Sequence, residues 1–236
     1  RGGGYAEAIC VPAASVFAMP DGVSAEQAVA LGNYQLGWLL LNYASAPRAG
    51  DSILVHAAAG GAGSALVQLA KRQGLTVYGV AGSAGKARYV AELGADAVID
   101  RSSEDIGVRL AELTGGAGVD YIYDAVGGAG FAKNFGMLAP MGMVVMFGHI
   151  AGWPDPDILT PLRGQSGHSL ALRHFSIHVV DDRPDIRRGA MEEAMAALAA
   201  GEIAPRIHAR LPLSEAAGAH RMLESGGVTG KIVLVP

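Results

Sequence analysis

The sequence predicts an α/β protein built on a doubly wound parallel sheet. Two observations carry this. Short apolar runs alternate with helical stretches between residues 53 and 147, and the runs are continuously apolar, as strands covered on both faces must be. One run then passes into a Gly-rich turn with a helix directly behind it: Ile53-Leu54-Val55-His56-Ala57-Ala58-Ala59-Gly60-Gly61-Ala62-Gly63. A sheet of this kind binds its ligand at the carboxyl ends of its strands.

The elements follow in order. Residues 53–57 form the first strand. Residues 64–73 carry Leu66, Leu69 and Ala70 at helical spacing, and Gly74 ends the helix. Residues 76–80 are the second strand. Residues 84–93 are a helix with Ser83 as N-cap and Gly94 as its stop. Residues 97–99 are the third strand, and Ser102 with Asp105 makes a capping-box-like start for a helix reaching Leu113. Residues 119–123 are a fourth strand, 129–138 a helix and 143–147 a fifth strand. Residues 151–167 hold Pro154, Pro156 and Pro161 and read as a loop or mobile lid. Residues 169–172 are a candidate sixth strand. Ile186, Ala190, Met191, Ala194, Met195 and Leu198 mark one face of a helix ending at Gly201. The tail reads as strand 207–211, helix 214–223 and strand 231–235. Residues 1–30 read as the β-rich end of another domain, closing at Pro20-Asp21-Gly22. The chain begins at Arg1, inside what reads as a strand, so the true N-terminus is expected upstream, and the segment alone is expected to be a poor catalyst.

Composition excludes several classes. Half of the 236 residues are hydrophobic and 17% are charged, unlike a disordered chain. The 34 glycines follow no triplet period, which excludes collagen. A net charge of −4 argues against general nucleic-acid binding. The apolar stretches 28–46 and 137–153 are interrupted by Asn33, Gln35, Pro140 and His149, so neither spans a membrane. The single cysteine, Cys10, makes no internal disulfide and no Cys-based zinc cluster. It fits a reducing, cytoplasmic compartment and reads as a small buried hydrophobe.

The Gly-rich turn is the strongest motif. Its spacing, Ala57-x-x-Gly60-x-x-Gly63, is a variant of the dinucleotide fingerprint with Ala in first place. A diphosphate approaches backbone N–H groups closely only where side chains are small, and the helix N-terminus adds partial positive charge. The alternative is a merely tight strand-to-helix turn. A second signal is an absence. NAD-binding units carry an acid about 20 residues beyond the glycines, for the ribose 2′-hydroxyl. Here the second strand ends Val80-Ala81-Gly82-Ser83, Lys86 follows, and Arg101 stands after the third strand. Ordinary solvated charges are the alternative for both cations.

Residues 56–63, Lys86, Gly94-Ala95-Asp96, Leu113-Thr114-Gly115-Gly116, Asp124-Ala125-Val126-Gly127 and Phe147-Gly148 fall in the order and spacing of one family. The chain resembles the zinc-independent quinone oxidoreductases, the zeta-crystallin-like family of the medium-chain dehydrogenase/reductase superfamily. The resemblance covers essentially the whole chain. It implies residues 1–31 as the end of a GroES-like β-rich catalytic domain, 32–182 as the dinucleotide-binding Rossmann domain, and 183–236 as a C-terminal segment returning to the catalytic domain. It implies NADPH as cofactor. Gly60, Gly61, Ala62 and Gly63 would cradle the diphosphate, and Gly82, Ser83, Lys86 and Arg101 would surround the 2′-phosphate. Val126 and Gly127 would border the cofactor. Phe147, Gly148 and His149 would line the nicotinamide end, where relatives often have Asn or Ser in place of His149. Asn33-Tyr34-Gln35 stands in a turn where relatives commonly have Gly-Leu-Thr, so Gln35 replaces a Thr near the nicotinamide.

The function implied is NADPH-dependent hydride transfer to a quinone or an α,β-unsaturated carbonyl such as an enone, alkenal or enoyl thioester. No side chain is assigned as catalytic acid or base. The alternatives are a non-catalytic NADPH-binding structural or sensor protein, and a zinc-type alcohol dehydrogenase. Leu31 stands near the zinc-ligand position of the latter, and no metal site is expected from the seven histidines. The run Met137, Met141, Met143 and Met146 reads as core packing. Trp153 has two readings, substrate contact or loop anchor. A homodimer through the apolar edge at residues 169–172 is also expected.

Overall fold

The computed structural model describes residues 3–236. Six strands, β1 (Ser52–Val55), β2 (Thr76–Ala81), β3 (Ala97–Asp100), β4 (Val119–Asp124), β5 (Leu138–Met146) and β6 (Ala171–His174), form one sheet in the order β3-β2-β1-β4-β5-β6. Every neighbouring pair is parallel. The helices are α1 (Ala25–Val29), α2 (Leu31–Leu39), α3 (Gly61–Arg72), α4 (Ala84–Glu92), α5 (Ile106–Thr114), α6 (Leu159–Arg163), α7 (Pro184–Ala199) and α8 (Ala216–Glu224). A separate parallel pair, β7 (Ile207–Pro212) and β8 (Lys231–Val235), closes the chain.

The continuous apolarity of β1 has a direct cause. Ile53 and Val55 point into the core that packs α2, α3 and α7, while Leu54 points into the opposite core, with Leu110, Phe131 and Phe135. Alternate side chains of one strand enter opposite faces, and here both faces are covered. The strand order reverses between β1 and β4. A crevice therefore opens at their carboxyl ends, where connections leave toward opposite sides.

Several expectations change in detail. The β-rich start is not seen: residues 3–30 hold a 3-10 turn at Ala13–Ser15 and α1, with no strand. Tyr5, Ile9, Val11 and Val16 are exposed there, and Cys10 is exposed rather than buried, because no core forms around this segment. Arg1 and Gly2 lie outside the described residues. Asn33-Tyr34-Gln35 is not a turn but the middle of α2, which continues as a π-helical stretch over Leu40–Ser45. The two polar residues interrupt an apolar pattern without breaking the helix. The helix expected at residue 64 starts at Gly61, because the glycines supply its first turn. Asp105 alone caps α5, accepting from Val108 N, while Ser102 bonds Asp100 instead. Residues Phe131–Met137 are 3-10 rather than α-helical. β5 starts five residues early and is irregular, with Met141 at φ +67 and 76% exposed; Met137 and Met146 are buried. The Pro-rich stretch contains α6, and β6 lies two residues later than expected, at the sheet edge.

Candidate active site

The Gly-rich turn is built from β1 outward. His56 N donates to Tyr123 O and Ala58 N to Val80 O, so the turn stays attached to both neighbouring strands. Ala57 takes the left-handed conformation (φ +51) and its carbonyl accepts from Gly60 N. Gly60 then caps α3 with no side-chain acceptor. The first N–H groups of α3 are left without a capping side chain. Gly230 N donates to Ala59 O, tying the β7–β8 pair to the same turn.

Beside this turn lies a cleft of about 1370 Å³. Ala57, Ala59, Gly60 and Gly61 line it, whereas Ala62 and Gly63 do not. Of the expected Gly60–Gly63 set, Gly60 and Gly61 thus line the cleft. Gly63 has a packing role instead: a Cβ there would sit 2.3 Å from Ala57 O. At the far end, Gly82, Ser83, Lys86 and Arg101 all line the cleft. Arg101 N donates to Ala81 O, extending the β2–β3 ladder and fixing where its side chain starts. The Arg101 guanidinium lies over Gly82, 3.4 Å from where a Cβ would be. Ser83 caps α4 through Lys86 N. Lys86 Nζ donates to Gly226 O in the loop after α8. Partial burial, and then the Arg101 charge, pull the Lys86 ammonium below the usual lysine range. Lys86 and Arg101 thus place two cations at one end of the cleft. The acids at this rim are engaged: Glu104 accepts from Asp100 N and pairs with Arg109, and Asp105 caps α5.

A buried polar chain forms the floor. Asp124 is 2% exposed and accepts from Val126 N, Gly127 N and Asn134 Nδ2 at 2.6, 3.0 and 2.7 Å. Because a carboxylate only accepts, Asn134 must turn its amide NH₂ toward Asp124 and its oxygen toward His56 Nε2, at 2.8 Å. His56 Nε2 is therefore the donor in that pair. Asp124, Asn134 and His56 all line the cleft, together with Val126 and Gly127.

Phe147, Gly148 and His149 sit at the carboxyl end of β5 and line a second pocket of about 490 Å³. Ile150 lines both cavities, so the two are neighbours across this side chain. A Cβ on Gly148 would lie 2.7 Å from Ala125 O, so this residue lets the β4 and β5 loops touch. Gln35 departs from the expected cofactor contact. It is 7% exposed, donates through Nε2 to Arg187 O at 2.8 Å, and joins α2 to α7 away from both cavities. Asn33 packs against Gly61 without lining the cleft. Leu31 is buried. His178 pairs with Asp181, and among the described residues no group of three or more His, Cys, Asp or Glu is placed to hold a metal ion.

Sequence reasoning missed the rim formed by Ser225, Gly226, Gly227 and Val228, and the floor residue Asn134. The Gly226-Gly227 pair was a visible signal of close backbone approach. Nothing local marked Asn134.

Sheet, glycine turn and terminal cation pair together define a Rossmann-type dinucleotide-binding protein. The family described as zinc-binding dehydrogenase matches residues 61–194. A quinone oxidoreductase of Pseudomonas aeruginosa is 34% identical over 235 residues, covering 99% of this chain and 72% of its own. A 2-haloacrylate reductase of a Burkholderia species is 31% identical over 237 residues, covering 99% and 71%. The crystal structure of Escherichia coli quinone oxidoreductase complexed with NADPH superposes with a TM-score of 0.86 at 31% identity, covering 92% and 67%. The chain belongs to the zinc-binding dehydrogenase family, in the quinone oxidoreductase branch of the medium-chain dehydrogenase/reductases.

Proposed function

We propose that the protein is an NADPH-dependent oxidoreductase that reduces a quinone or an α,β-unsaturated carbonyl compound without zinc. The observation that carries the cofactor assignment is Arg101 over Gly82 with Lys86 lining the same end of the cleft, where an NAD-specific acid would otherwise stand. The donor set fits NADPH along its length. Uncapped N–H groups of α3 would hold the diphosphate, Lys86, Arg101 and Ser83 would hold the 2′-phosphate, and the Asp124–Asn134–His56 chain would fix the floor of the cleft. When bound, NADPH supplies the hydride. The chain's own residues bind, orient and limit water access, and we assign no side chain as proton donor. The related quinone oxidoreductase and 2-haloacrylate reductase support the acceptor class.

The test is NADPH consumption by the intact protein with quinones, alkenals, enones and enoyl thioesters, with a saturated ketone as control. Turnover is expected with at least one conjugated acceptor and not with the ketone. Tight NADPH binding without any turnover would replace this reading with a non-catalytic NADPH-binding role.

Three further assignments belong to this reading. Residues 1–31 end a catalytic domain, 32–182 bind the dinucleotide and 183–236 return to the catalytic domain. The compartment is cytoplasmic, supported by the unpaired Cys10 thiol. The protein is a homodimer through β6, the sheet edge on which Leu172 is exposed. Light scattering at micromolar concentration is expected to give twice the chain mass; a monomer mass would remove this pairing.

A further inference from the structure

The pocket at the ends of β5 and β6 has an unusual wall. The Trp153 ring stacks on His149 with centroids 4.8 Å apart and planes inclined by 16°, and it tilts toward His174 at 5.6 Å. Leu36, Phe147 and Phe175 line the same pocket. Trp153 is 63% exposed, so its outer surface is free among the described residues.

Two readings of Trp153 were open, loop anchor and substrate contact. The loop has other anchors. Ile150 N donates to Ala125 O, Ala151 N to Val126 O, and Gly128 N to Gly152 O. The contact is closed further because a Cβ on Gly127 would sit 2.6 Å from Gly152 O. Three backbone bonds already hold residues 150–152 to the β4 loop, and an indole with most of its surface exposed adds little to them. The same bonds argue against a mobile lid in this stretch: the ring is presented by a fixed backbone.

We propose that Trp153, backed by His149 and His174, is a specificity-determining shelf that selects flat aromatic quinones over small acrylate-type acceptors. The proposal rests on the NADPH-dependent reduction above and names the acceptor class of that site. Phe147, Gly148 and His149, expected at the nicotinamide end, line this pocket, and Ile150 borders both it and the neighbouring cleft, so a ring on the shelf would lie beside that end. Indole is electron-rich and a quinone ring is flat and electron-poor, which makes offset stacking favourable. An acrylate carries no ring and gains nothing from the shelf. The reaction balances as a hydride from NADPH and a proton from solvent, which convert quinone to hydroquinone and leave NADP⁺.

Two measurements on the intact protein test it. In steady state, Trp153→Ala is expected to raise KM for phenanthrenequinone about tenfold, with kcat within about twofold. KM for chloroacrylate should stay within about twofold, and Trp153→Phe should restore most of the quinone KM. Equal changes for both acceptors, or no change for either, would overturn the shelf. The second measurement needs no turnover. In a Trp38→Phe background, menadione without NADPH should quench Trp153 fluorescence with a saturating curve. A linear curve matching free tryptophan would overturn the shelf as well. Saturable quenching with no turnover of any acceptor would leave the shelf standing and remove the proposed reaction instead.

Discussion

Replacing both Lys86 and Arg101 by alanine is expected to raise the Kd for NADPH about 100-fold, while the Kd for NADH stays within about twofold. Each single variant should cost several-fold for NADPH. The two side chains line the same end of the cleft from different elements: Arg101 lies over Gly82 from the end of β3, and Lys86 rises from the first turn of α4 behind its Ser83 cap. Charge-assisted hydrogen bonds contribute about 1.5–3 kcal/mol when partly desolvated, and one decade of affinity is about 1.4 kcal/mol. The rim is open to solvent, so the lower end applies, and the preference for NADPH should shrink as salt is added. Lys86 also donates to Gly226 O, but an ammonium has three donors and two remain for phosphate.

The depressed Lys86 ammonium gives this prediction a second arm. Burial and Arg101 both disfavour its charged form in the unliganded protein. A nearly dianionic phosphate placed between the two cations reverses the second effect. Without ligand, Arg101→Ala therefore removes a repulsion and should leave the protein no less stable, while still weakening NADPH binding. Titration calorimetry with both cofactors, plus denaturant melts of the free variants, checks both arms. Equal losses for NADH and NADPH would show that these cations serve the diphosphate or the fold rather than the 2′-phosphate.

The core of the sheet was legible because periodicity and punctuation agreed. From residue 53 to residue 124 the strands are continuous apolar runs, and Gly74 and Gly94 stand just past α3 and α4 in left-handed conformations (φ +76 and +97). α2 was not legible as a helix because Asn33 and Gln35 interrupt its apolar pattern. Tertiary contacts overrode that reading: Gln35 satisfies its amide on Arg187 O, and Tyr34 accepts from Gln68 Nε2. The cation end of the site was legible because the missing acid and the two basic residues are local sequence facts. The floor was not. Asp124 and Asn134 are ten residues apart, and the Asn134 bonds to Asp124 and to His56 depend on how β1, β4 and the Phe131–Met137 turn come together. The C-terminal rim was hidden for the same reason, since long-range contacts, the Gly60–Gly230 bridge and the Lys86–Gly226 bond, bring it to the site.

Gly63→Ala is expected to destabilise the fold by about 3 kcal/mol, because it places a methyl group where backbone already is. The new Cβ would lie 2.3 Å from Ala57 O, 2.7 Å from Ala58 Cα and 2.9 Å from Ala57 C. None of these is the end of a flexible side chain, so relief requires moving either the turn or α3. The turn is held by Ala58 N on Val80 O and by Gly230 N on Ala59 O. α3 is held from Ser64 to Ala70 by continuous burial. The strain therefore has no soft outlet. For a chain of this size, about 3 kcal/mol corresponds to a fall in Tm of roughly 6–12 °C. Either movement also shifts the uncapped N–H groups of α3, so both NADH and NADPH should bind more weakly, by about tenfold or more. That equal loss separates this variant from Lys86→Ala and Arg101→Ala, whose losses fall on NADPH alone. Gly189→Ala is the control. Gly189 lies inside α7 with nothing within 4 Å of the added carbon, so this change should leave the protein as stable or more stable by about 0.5–1 kcal/mol. A Gly63→Ala protein that melts with the wild type and binds both cofactors normally would mean that the turn gives way easily, and that close packing of α3 against Ala57 is not what requires glycine there.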